Sequence, residues 1–406
     1  MSGPIAIVSK QRLVGATNGS SAYLIAIARS LAGAGHEVHL IQPSPNIFGR
    51  TPAMRLQPEM DVFASHAIRS TLRLGNWRIV LSPAIWAAAA VGVARKLLRK
   101  VGMKGRWTED RARPYSVATP WARADLAFVE RHLPPGCSAV IADYIFCAPA
   151  LALAPGTAAT GIVMHDLFHT RAGGGKDSVA IVSRDDEVRM LGAADVVLAI
   201  QQEEAAFVAA KVPGTRAVLV PMPAEIATSP APGEDDRLLF VGSNTAPNTV
   251  GLGWFLEQVW PAIRQARPAC VLEVAGTVHR GFEGPVPEGV HFLGLVPDLA
   301  PLYRDAGLVI SPLTFGSGLK IKLVEAMAAG KAVVATSITL QGVADRCGEA
   351  VICTDDAAEF AGAATRLAGD RTARANLAER ALASAASNFS AATVHRELRD
   401  WADGRA

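Results

Sequence analysis

Short apolar runs of the kind found in buried strands alternate with helical patterns along this chain of 406 residues. The first series opens with an apolar run at residues 5–8, a glycine-bearing loop, a helical pattern at 21–34 and a second run at 37–41. Strand, helix and strand in this order indicate a parallel βαβ unit. Apolar runs then recur at residues 139–142, 161–164 and 196–199, as expected for a sheet buried on both faces.

A second alternating series occupies the C-terminal half of the chain. Its apolar runs lie at 238–241, 271–275, 290–293, 308–310 and 332–335, with helical patterns at 252–266 and 319–329. Three more helical patterns complete the chain, at 357–367, 373–387 and 391–401. Two α/β halves of this kind predict two Rossmann-like domains.

The segment 221–236, rich in Pro, Ala and acidic residues, separates the two series and is the best linker candidate. We therefore predict an N-terminal domain at 1–220 and a C-terminal domain at 237–387. A helix at 388–406 is expected to pack back toward the N-terminal domain. Residues 44–120 lack the regular alternation, so we interpret them as an insertion on the first domain.

Composition excludes several classes of protein. Half of the residues are hydrophobic, 19% are charged and the net charge is +3, which argues against disorder and against a nucleic-acid-binding protein. The five cysteines form no Cys-x-x-Cys pair, as expected of reduced thiols in a cytoplasmic protein. The N-terminus has no signal-peptide pattern, so we expect a cytoplasmic location, with peripheral contact at the inner face of the membrane as an extension.

That extension depends on residues 83–106. An apolar run containing Trp86 is followed there by a cluster of basic residues, a composition suited to an anionic membrane surface. The apolar run is too short to span about 30 Å of hydrocarbon as a helix. A helix packed within or between domains explains the alanines equally well, and both interpretations stay open.

The most informative stretch is 311–336, SPLTFGSGLKIKLVEAMAAGKAVVAT, in which a strand enters a glycine-rich turn that leads directly into a helix. Gly316 and Gly318 permit close approach of backbone amides, and a helix N-terminus attracts anions. Lys320 and Lys322 oppose the helix dipole in the first turn, so a bound diphosphate explains their position better than helix stability does. Glu325 follows on the same face, where a carboxylate could accept both hydroxyls of a ribose. A solvated Lys322–Glu325 pair is the alternative interpretation.

This stretch resembles glycosyltransferase family 4 and its relatives in the glycosyl transferases group 1. Their signature is a glycine-rich turn, Lys, a few apolar residues, Glu-Ala-Met and then Gly-x-x-Val-Val-Ala-Thr. The resemblance extends over most of 238–340, with a weaker match in the first βαβ unit and near Met164. It implies the GT-B fold, an α/β architecture of two Rossmann-like domains whose parallel sheets face a central cleft.

The resemblance also implies roles for individual residues. Glu325 would bind the ribose, the turn and Lys322 the diphosphate, and the loop after Gly294 the base, while the loop 15–20 would face the cleft. The residues expected to bind the donor are Gly15, Gly19, Ser243, Gly294, Val296, Phe315, Gly316, Ser317, Gly318, Leu319, Lys320, Lys322 and Glu325. Lys322 and Glu325 are also expected to act in catalysis.

Two departures from the family pattern affect these expectations. Ser317 stands where many members have a second glutamate that contacts the donor sugar. The sequence after the strand at 238–241 reads GSNTAPN, without the Arg and Lys that neutralise the leaving diphosphate in many members. Lys320 and Lys322 would then have to stabilise that charge alone.

His165 and Asp166 follow the run at 161–164, at the edge of the sheet where ligands bind in open α/β folds. We expect His165 to be catalytic, contacting the donor sugar or the acceptor, and Asp166 and Arg171 to contribute to the sugar or acceptor site. A loop histidine with a structural hydrogen bond is the alternative. His165 and His169 imitate a zinc helix but lack the glutamate base and a third ligand, so no metal site is expected.

The function predicted from these observations is transfer of a sugar from a nucleotide-diphosphate donor, most simply a UDP- or GDP-sugar, to a hydroxyl of a glycan, lipid-linked or small-molecule acceptor. No permanently bound cofactor is expected. The sequence has no Asp-x-Asp motif, so we expect metal-independent transfer, and the resemblance implies retention of configuration. A nucleotide-sugar epimerase of the same fold and a catalytically silent GT-B-like binding protein remain alternatives.

Overall fold

The computed structural model describes residues 3–101, 105, 115–171, 180–282, 285–315 and 321–405. The chain divides into two compact units. The N-terminal unit comprises Met1–Met222 together with Val394–Ala406, and the C-terminal unit comprises Pro223–Thr393. The last residues of the chain therefore belong to the N-terminal unit.

The N-terminal unit is built on a seven-stranded sheet in which every strand pair is parallel. Its strands are β1 (Ile5–Val8), β2 (Val38–Gln42), β4 (Ser65–Ile68), β7 (Ala139–Asp143), β8 (Ala159–Met164), β9 (Val196–Ala199) and β10 (Arg216–Leu219). Their order in the sheet is β10-β9-β8-β7-β1-β2-β4. The central strands β1, β7 and β9 are buried along their whole length, because hydrophobic clusters cover both faces of the sheet.

The helices of this unit are α1 (Gly19–Gly33), α2 (Pro83–Lys100), α3 (Arg123–His132), α4 (Arg184–Leu191), α5 (Gln202–Lys211) and α15 (Arg396–Ala402). Short 3-10 helices lie at Pro45–Phe48, Pro58–Val62, Ser116–Ala118, Ile145–Leu153 and Phe168–Arg171. The Asn18 side chain accepts a hydrogen bond from the Ser21 backbone N–H, and the Ser21 hydroxyl accepts one from Asn18 N–H. This reciprocal capping box explains where α1 begins.

The segment predicted as an insertion contributes in part to the main sheet. β4 pairs with β2 at its edge, whereas β3 (Ala53–Arg55), β5 (Thr71–Leu74) and β6 (Trp77–Val80) form a separate antiparallel sheet in the order β3-β6-β5. The β4 sequence, SHAI, is too short and too polar for the apolar-run criterion to detect.

The C-terminal unit is built on a six-stranded parallel sheet. Its strands are β11 (Arg237–Val241), β12 (Val271–Ala275), β13 (Val290–Gly294), β14 (Leu308–Ser311), β15 (Val333–Ala335) and β16 (Ile352–Cys353), in the order β13-β12-β11-β14-β15-β16. Because all six strands are parallel, their carboxyl ends lie at one edge of the sheet.

The helices of this half are α6 (Ala246–Trp254), α7 (Trp260–Ala266), α8 (Ala300–Asp305), α9 (Ile321–Ala328), α10 (Ser337–Leu340), α11 (Ala344–Cys347), α12 (Ala357–Gly369), α13 (Arg371–Phe389) and α14 (Ala391–Val394). A π-helical turn, Phe255–Val259, joins α6 to α7, and 3-10 helices lie at Thr277–Gly281 and Gly348–Ala350. Hydrophobic clusters again cover both faces of the sheet.

Two predicted helices differ from the structure. The helix expected at 252–266 begins earlier, at Ala246, and is interrupted by the π turn before Pro261. Proline has no N–H for an α-helical hydrogen bond, which explains a change of winding at this point. The helix expected at 391–401 is divided into α14 and α15 around His395, whose buried side chain bonds to Ser30 and to the Pro221 carbonyl.

Part of the predicted linker is bound to the C-terminal unit by buried cations. The Arg374 guanidinium donates to the Pro232 carbonyl at 3.0 Å and pairs with Asp235, while the Lys331 ammonium donates to the Ala231 carbonyl. Arg374 and Lys331 are both fully buried. This stretch of the linker is therefore a fixed part of the C-terminal unit. Among the described residues, no helix combines the length and the apolar character needed to cross a membrane.

Candidate functional site

The predicted donor site lies along the carboxyl edge of the C-terminal sheet. Ser243 follows β11, Gly294 ends β13, and Phe315 lies four residues after β14. The described residues therefore bring these three positions to one edge of one sheet. Gly316, Ser317, Gly318, Leu319 and Lys320, which were expected to form the glycine-rich turn, lie outside the described residues.

Lys322 and Glu325 lie on the first turns of α9. The Lys322 ammonium donates to Glu325 Oε2 at 2.6 Å, and the two side chains are 48% and 37% exposed. An exposed pair at this spacing stabilises a helix by less than about 1 kcal/mol. The pair is thus too weak to hold either side chain against a ligand that offers a better partner.

The opposite face of α9 fixes the position of the helix. Leu323, Val324 and Met327 are buried in the cluster that covers one face of the C-terminal sheet. The predicted lysine and glutamate therefore occupy the solvent-facing side of a helix whose apolar side is anchored. Sequence periodicity alone predicts this division.

A hydroxyl network supports the segment that enters the turn. The Thr339 hydroxyl donates to the Ser311 carbonyl at 2.7 Å, and the buried Thr336 hydroxyl donates to the Leu313 carbonyl. The Ser311 carbonyl also accepts the Thr336 backbone N–H at 3.2 Å, so Thr336 and Thr339 tie the end of β14 and the segment after it to the start of α10. No pattern in the sequence indicated Thr336 and Thr339 as supports of the predicted donor site.

The other predicted donor residues have separate local roles. Ser243 accepts hydrogen bonds from Asn248 Nδ2, at 3.0 Å to its carbonyl and 3.3 Å to its hydroxyl. Gly294 has a positive φ of 68°, where glycine is favoured, and Val296 packs against the core. Phe315 is 43% exposed. A Cβ at Gly276, beside them at the end of β12, would lie 2.2 Å from the Gly242 carbonyl oxygen, so this edge requires glycine.

In the N-terminal unit, the loop 15–20 contributes to the packing of the fold. A Cβ on Gly15 would lie 2.5 Å from Gln57 Oε1, so glycine is needed for close packing there. Gly19 begins α1 and has open space around its Cα. Gly19 is therefore the one of these two glycines at which a ligand has room to approach.

A second set of polar side chains meets at the carboxyl edge of the N-terminal sheet. His165 Nε2 donates to Asp143 Oδ1 at 2.8 Å, while Ser9 Oγ and Gln11 Nε2 donate to Asp143 Oδ2 at 2.6 and 2.8 Å. Asp143 is fully buried and the His165 side chain is 8% exposed. The Tyr144 ring stacks on the imidazole with centroids 3.9 Å apart. The carboxylate and the imidazole are thus held from several sides.

Sequence reasoning selected His165 but missed the residues that hold it. Asp143 ends the otherwise apolar strand AVIAD, and an acidic residue at the carboxyl end of a buried strand was a usable signal. Ser9, Gln11 and Tyr144 had no comparable pattern. Asp166 accepts a hydrogen bond from Leu167 N–H at 3.1 Å. The side chain of Arg171, a residue of the 3-10 helix Phe168–Arg171, lies outside the described residues.

His169 has a different environment. Its Nδ1 lies 2.6 Å from Glu187 Oε2, and the fully buried Glu187 carboxylate also accepts hydrogen bonds from the Phe168 and His169 backbone N–H groups. Glu187 therefore ties the loop after β8 to α4. Within the described part of the chain, no cluster of three or more His, Cys, Asp or Glu side chains has an arrangement that could hold a metal ion.

A neighbouring lysine is also engaged. Lys10 is fully buried, its ammonium donates to the Thr119 carbonyl, and it lies 5.0 Å from the centre of the Trp121 ring. Burial lowers the pKa of Lys10, and the Cys147 and Asp125 side chains oppose that shift. Lys10 therefore connects the end of β1 to the segment before α3.

Solved structures with the same architecture identify the fold. Sucrose-phosphate synthase from Thermosynechococcus elongatus is 14% identical with a TM-score of 0.54, over 99% of this chain and 98% of that one. The Anabaena protein HepE, solved in complex with UDP and glucose, is 15% identical with a TM-score of 0.53, over 99% of both chains. The two parallel α/β units have the GT-B fold.

The family comparison concerns the sequence of the C-terminal unit. Residues 235–370 of the 406-residue chain match the family model described as glycosyl transferases group 1, so this segment is similar to that family. A protein of Klebsiella pneumoniae, an uncharacterized 44.6 kDa protein in the cps region, is 29% identical over 136 residues. That match covers 31% of this chain and 35% of the relative, about a third of each.

Proposed function

We propose that this protein is a glycosyltransferase that moves a sugar from a nucleotide diphosphate to a hydroxyl of a glycan, lipid-linked or small-molecule acceptor. The observation that carries the proposal is the Lys322–Glu325 pair at the carboxyl edge of the C-terminal sheet, inside the family match. UDP- and GDP-sugars are the proposed donors, and UDP comes first because HepE was solved with UDP and glucose.

In this proposal Lys322 and Glu325 exchange partners when the donor binds. Lys322 turns from the carboxylate to the diphosphate, and Glu325 accepts hydrogen bonds from the ribose hydroxyls. Negative charge grows on the diphosphate as the glycosidic bond breaks. A preorganised donor at such a position typically contributes about 2.7 to 4 kcal/mol to the transition state. His165 and Asp166 of the N-terminal unit, with Arg171, would contact the donor sugar or the acceptor.

Retention of configuration and independence from metal ions are further parts of the proposal, as the family resemblance implies. Transfer in the presence of EDTA tests the second part, and NMR of the product anomer tests the first. Incubation with donor alone separates the alternatives: an epimerase converts the donor, whereas a silent relative binds nucleotide without any turnover.

The first experiment is a thermal-shift screen of UDP, GDP, ADP, dTDP and CMP. A nucleotide at about one hundred times its Kd stabilises the folded protein by about 2.7 kcal/mol. We expect one nucleotide to raise the Tm of the wild type and to lose most of this effect in Glu325→Gln. Removing the exposed ion pair itself costs less than about 1 kcal/mol, so the variant will fold.

Glu288→Gln is the matched control. Glu288 also pairs with a cation of the C-terminal unit, Arg264, at 2.7 Å, and its side chain is 89% exposed. The control should keep the full nucleotide effect. Absence of any nucleotide effect in the wild type would contradict the proposed donor site, and an equal effect in Glu325→Gln would remove Glu325 from it.

We also propose that the N-terminal unit contacts an anionic membrane surface, where a lipid-linked acceptor would reside. Only Ile85 of the 18 residues of α2 is buried, and Trp86, Val93 and Leu97 are 48%, 60% and 58% exposed. The β5–β6 hairpin adds the cross-strand pair Leu74 and Trp77, which are 63% and 47% exposed. Exposed apolar side chains in this number mark a surface that binds a partner.

Charge identifies the kind of partner. Residues 62–108 contain nine Lys or Arg and no Asp or Glu. Basic residues beside tryptophan and leucine favour lipid headgroups with acyl chains beneath them. We expect co-sedimentation with phosphatidylglycerol vesicles, weaker binding in a Lys96→Glu, Lys100→Glu, Leu97→Ser variant, and no change in the control Val286→Ser. Equal binding of wild type and triple variant would refute the surface.

A further inference from the structure

The Asp143 carboxylate lies where three neighbouring strands of the N-terminal sheet end. Ser9 follows β1, Asp143 is the last residue of β7, and His165 follows β8; these strands are adjacent in the order β8-β7-β1. The carboxyl edge of an open parallel sheet is where ligands of such folds bind. A buried charge at this edge, held by three side-chain donors, therefore has a position suited to function as well as to stability.

The hydrogen bonds determine which imidazole nitrogen carries the proton. An ionised carboxylate can only accept, so the 2.8 Å bond from His165 Nε2 to Asp143 Oδ1 requires a proton on Nε2. In the neutral ring, Nδ1 is then the acceptor. Asp143 thereby selects one of the two tautomers of His165.

Nδ1 is available to a ligand. Nδ1 makes no hydrogen bond among the described residues. It is also absent from the set of fully buried polar atoms without a partner, so it is accessible to solvent. His169 differs, because Glu187 binds both its ring Nδ1 and its backbone N–H. The free nitrogen of His165 thus faces a region that a substrate can reach.

The backbone and the aromatic rings fix the orientation of the imidazole. Tyr144 has φ 67° and ψ 154°, an uncommon conformation for a residue with a side chain, and its ring stacks on His165. The Tyr23 ring packs edge-on at 5.4 Å. Strained backbone of this kind persists where the surrounding structure holds it, and such residues concentrate at functional sites.

We propose that Asp143 is a positioning residue, which holds His165 with Nδ1 unprotonated so that Nδ1 accepts a hydrogen bond from a sugar hydroxyl of the substrate. The inference rests on the proposed sugar transfer and adds to it a residue that the sequence did not indicate. The donor sugar and the acceptor both carry hydroxyls, and the experiment separates them.

Asp143→Asn is an informative change because the neighbours of Asp143 determine the orientation of the new amide. Ser9 and Gln11 both donate to the Oδ2 position, so the carbonyl oxygen of the new amide must occupy it. The NH2 group then faces His165 Nε2 and donates to it. The imidazole must then accept a hydrogen bond at Nε2 and carry its proton on Nδ1. Nδ1 thereby changes from an acceptor to a donor, while the shape of the side chain stays the same.

The experiment measures sugar transfer and acceptor-free donor hydrolysis in wild type, Asp143→Asn and Glu187→Gln. We expect kcat for transfer to fall by about 100-fold or more in Asp143→Asn, as is typical when one preorganised hydrogen bond to the transition state is lost. KM for the donor should change by less than about threefold, because the proposed nucleotide site lies in the C-terminal unit. Glu187→Gln makes the same chemical change at the His169 pair and should change kcat by less than about threefold.

The two reactions identify which hydroxyl is bound. Loss of transfer with normal hydrolysis assigns the contact to the acceptor, and loss of both assigns it to the donor sugar. Wild-type transfer in Asp143→Asn overturns the inference and leaves the proposed function standing. Absence of transfer and hydrolysis in the wild type overturns both, even where nucleotide binding remains.

Two further measurements guard against a folding defect. Nitrogen-15 NMR of labelled histidines should show His165 protonated at Nε2 in the wild type and at Nδ1 in Asp143→Asn. His165→Asn places an acceptor oxygen near the Nδ1 position, whereas His165→Gln reaches toward Nε2, so the first should retain more transfer than the second. Equal loss in both variants, or an unchanged tautomer in Asp143→Asn, contradicts the inference.

Discussion

Acid should destabilise the N-terminal unit through His395, a buried imidazole next to the C-terminal helix α15. Its Nε2 donates to the Pro221 carbonyl at 2.8 Å, and its Nδ1 accepts from the Ser30 hydroxyl at 2.6 Å. Both nitrogens are therefore satisfied in the neutral ring, and a proton on Nδ1 would break the bond from Ser30. Burial lowers the pKa of His395 from 6.5 to about 4.

The direction and size of the effect follow from this shift. Between pH 6.5 and about pH 4 the unfolded chain binds a proton that the folded chain excludes, so stability falls as the pH falls through this window. Between about pH 7.5 and about pH 5 the loss is about 2 kcal/mol from this one group. Above that window the imidazole is neutral in both the folded and the unfolded chain, so His395 no longer lowers the stability.

The assay is urea unfolding followed by tryptophan fluorescence at both pH values. Trp401 is 7% exposed in the same core and reports on this unit. His395→Gln does not titrate and retains a donor for the Pro221 carbonyl, so its stability should fall by about 2 kcal/mol less than that of the wild type on acidification. Ser30→Ala removes the hydroxyl and keeps the imidazole, and is the control.

The control should be less stable than the wild type at both pH values while keeping the acid dependence. The reasoning is refuted if His395→Gln loses as much stability on acidification as the wild type does. His66 is a second buried imidazole, whose pKa burial and the nearby Arg78 and Arg73 lower to about 3. Its contribution remains in both variants and cancels in the comparison.

Two further predictions concern the cations that bind the linker. Burial lowers the pKa of Lys331 from 10.5 to about 8, so between these values the unfolded chain binds one proton more than the folded chain. Stability should therefore rise by about 2 kcal/mol from about pH 8 to about pH 10. Lys331→Met should lack this rise in urea unfolding, and an identical rise would contradict the account. Arg374 donates to the carbonyls of Pro232, Leu367 and Ala368, and each buried acceptor left without a donor costs about 1 to 3 kcal/mol. Arg374→Met should therefore cost about 3 kcal/mol or more, with Arg380→Met at an exposed pair as the near-neutral control. Equal urea midpoints for these two variants would show that Arg374 does not hold the linker.

The larger part of the fold was predictable because its signals are local. Apolar runs such as Ile5–Val8 and Val196–Ala199 are buried on both faces, and composition alone marks them as central strands of a parallel sheet. Strand β4 was not predicted because its pairing with β2, rather than its own sequence, makes it part of the sheet. Pro261 is a sequence signal for an interrupted helix. The hydrophobic periodicity continues across it, however, so one continuous helix was predicted.

The sequence by itself determined the GT-B architecture, the resemblance of the C-terminal domain to the glycosyl transferases group 1 and the positions of Lys322 and Glu325 on one face of α9, because each depends on residues close together in the chain. Only the tertiary structure showed that Asp143, 22 residues before His165, binds its imidazole, and that Ser9 and Gln11 complete the cluster from more than 130 residues away. Such a site forms where parallel strands end side by side. Strand order, which no local pattern specifies, decides which strand ends are neighbours.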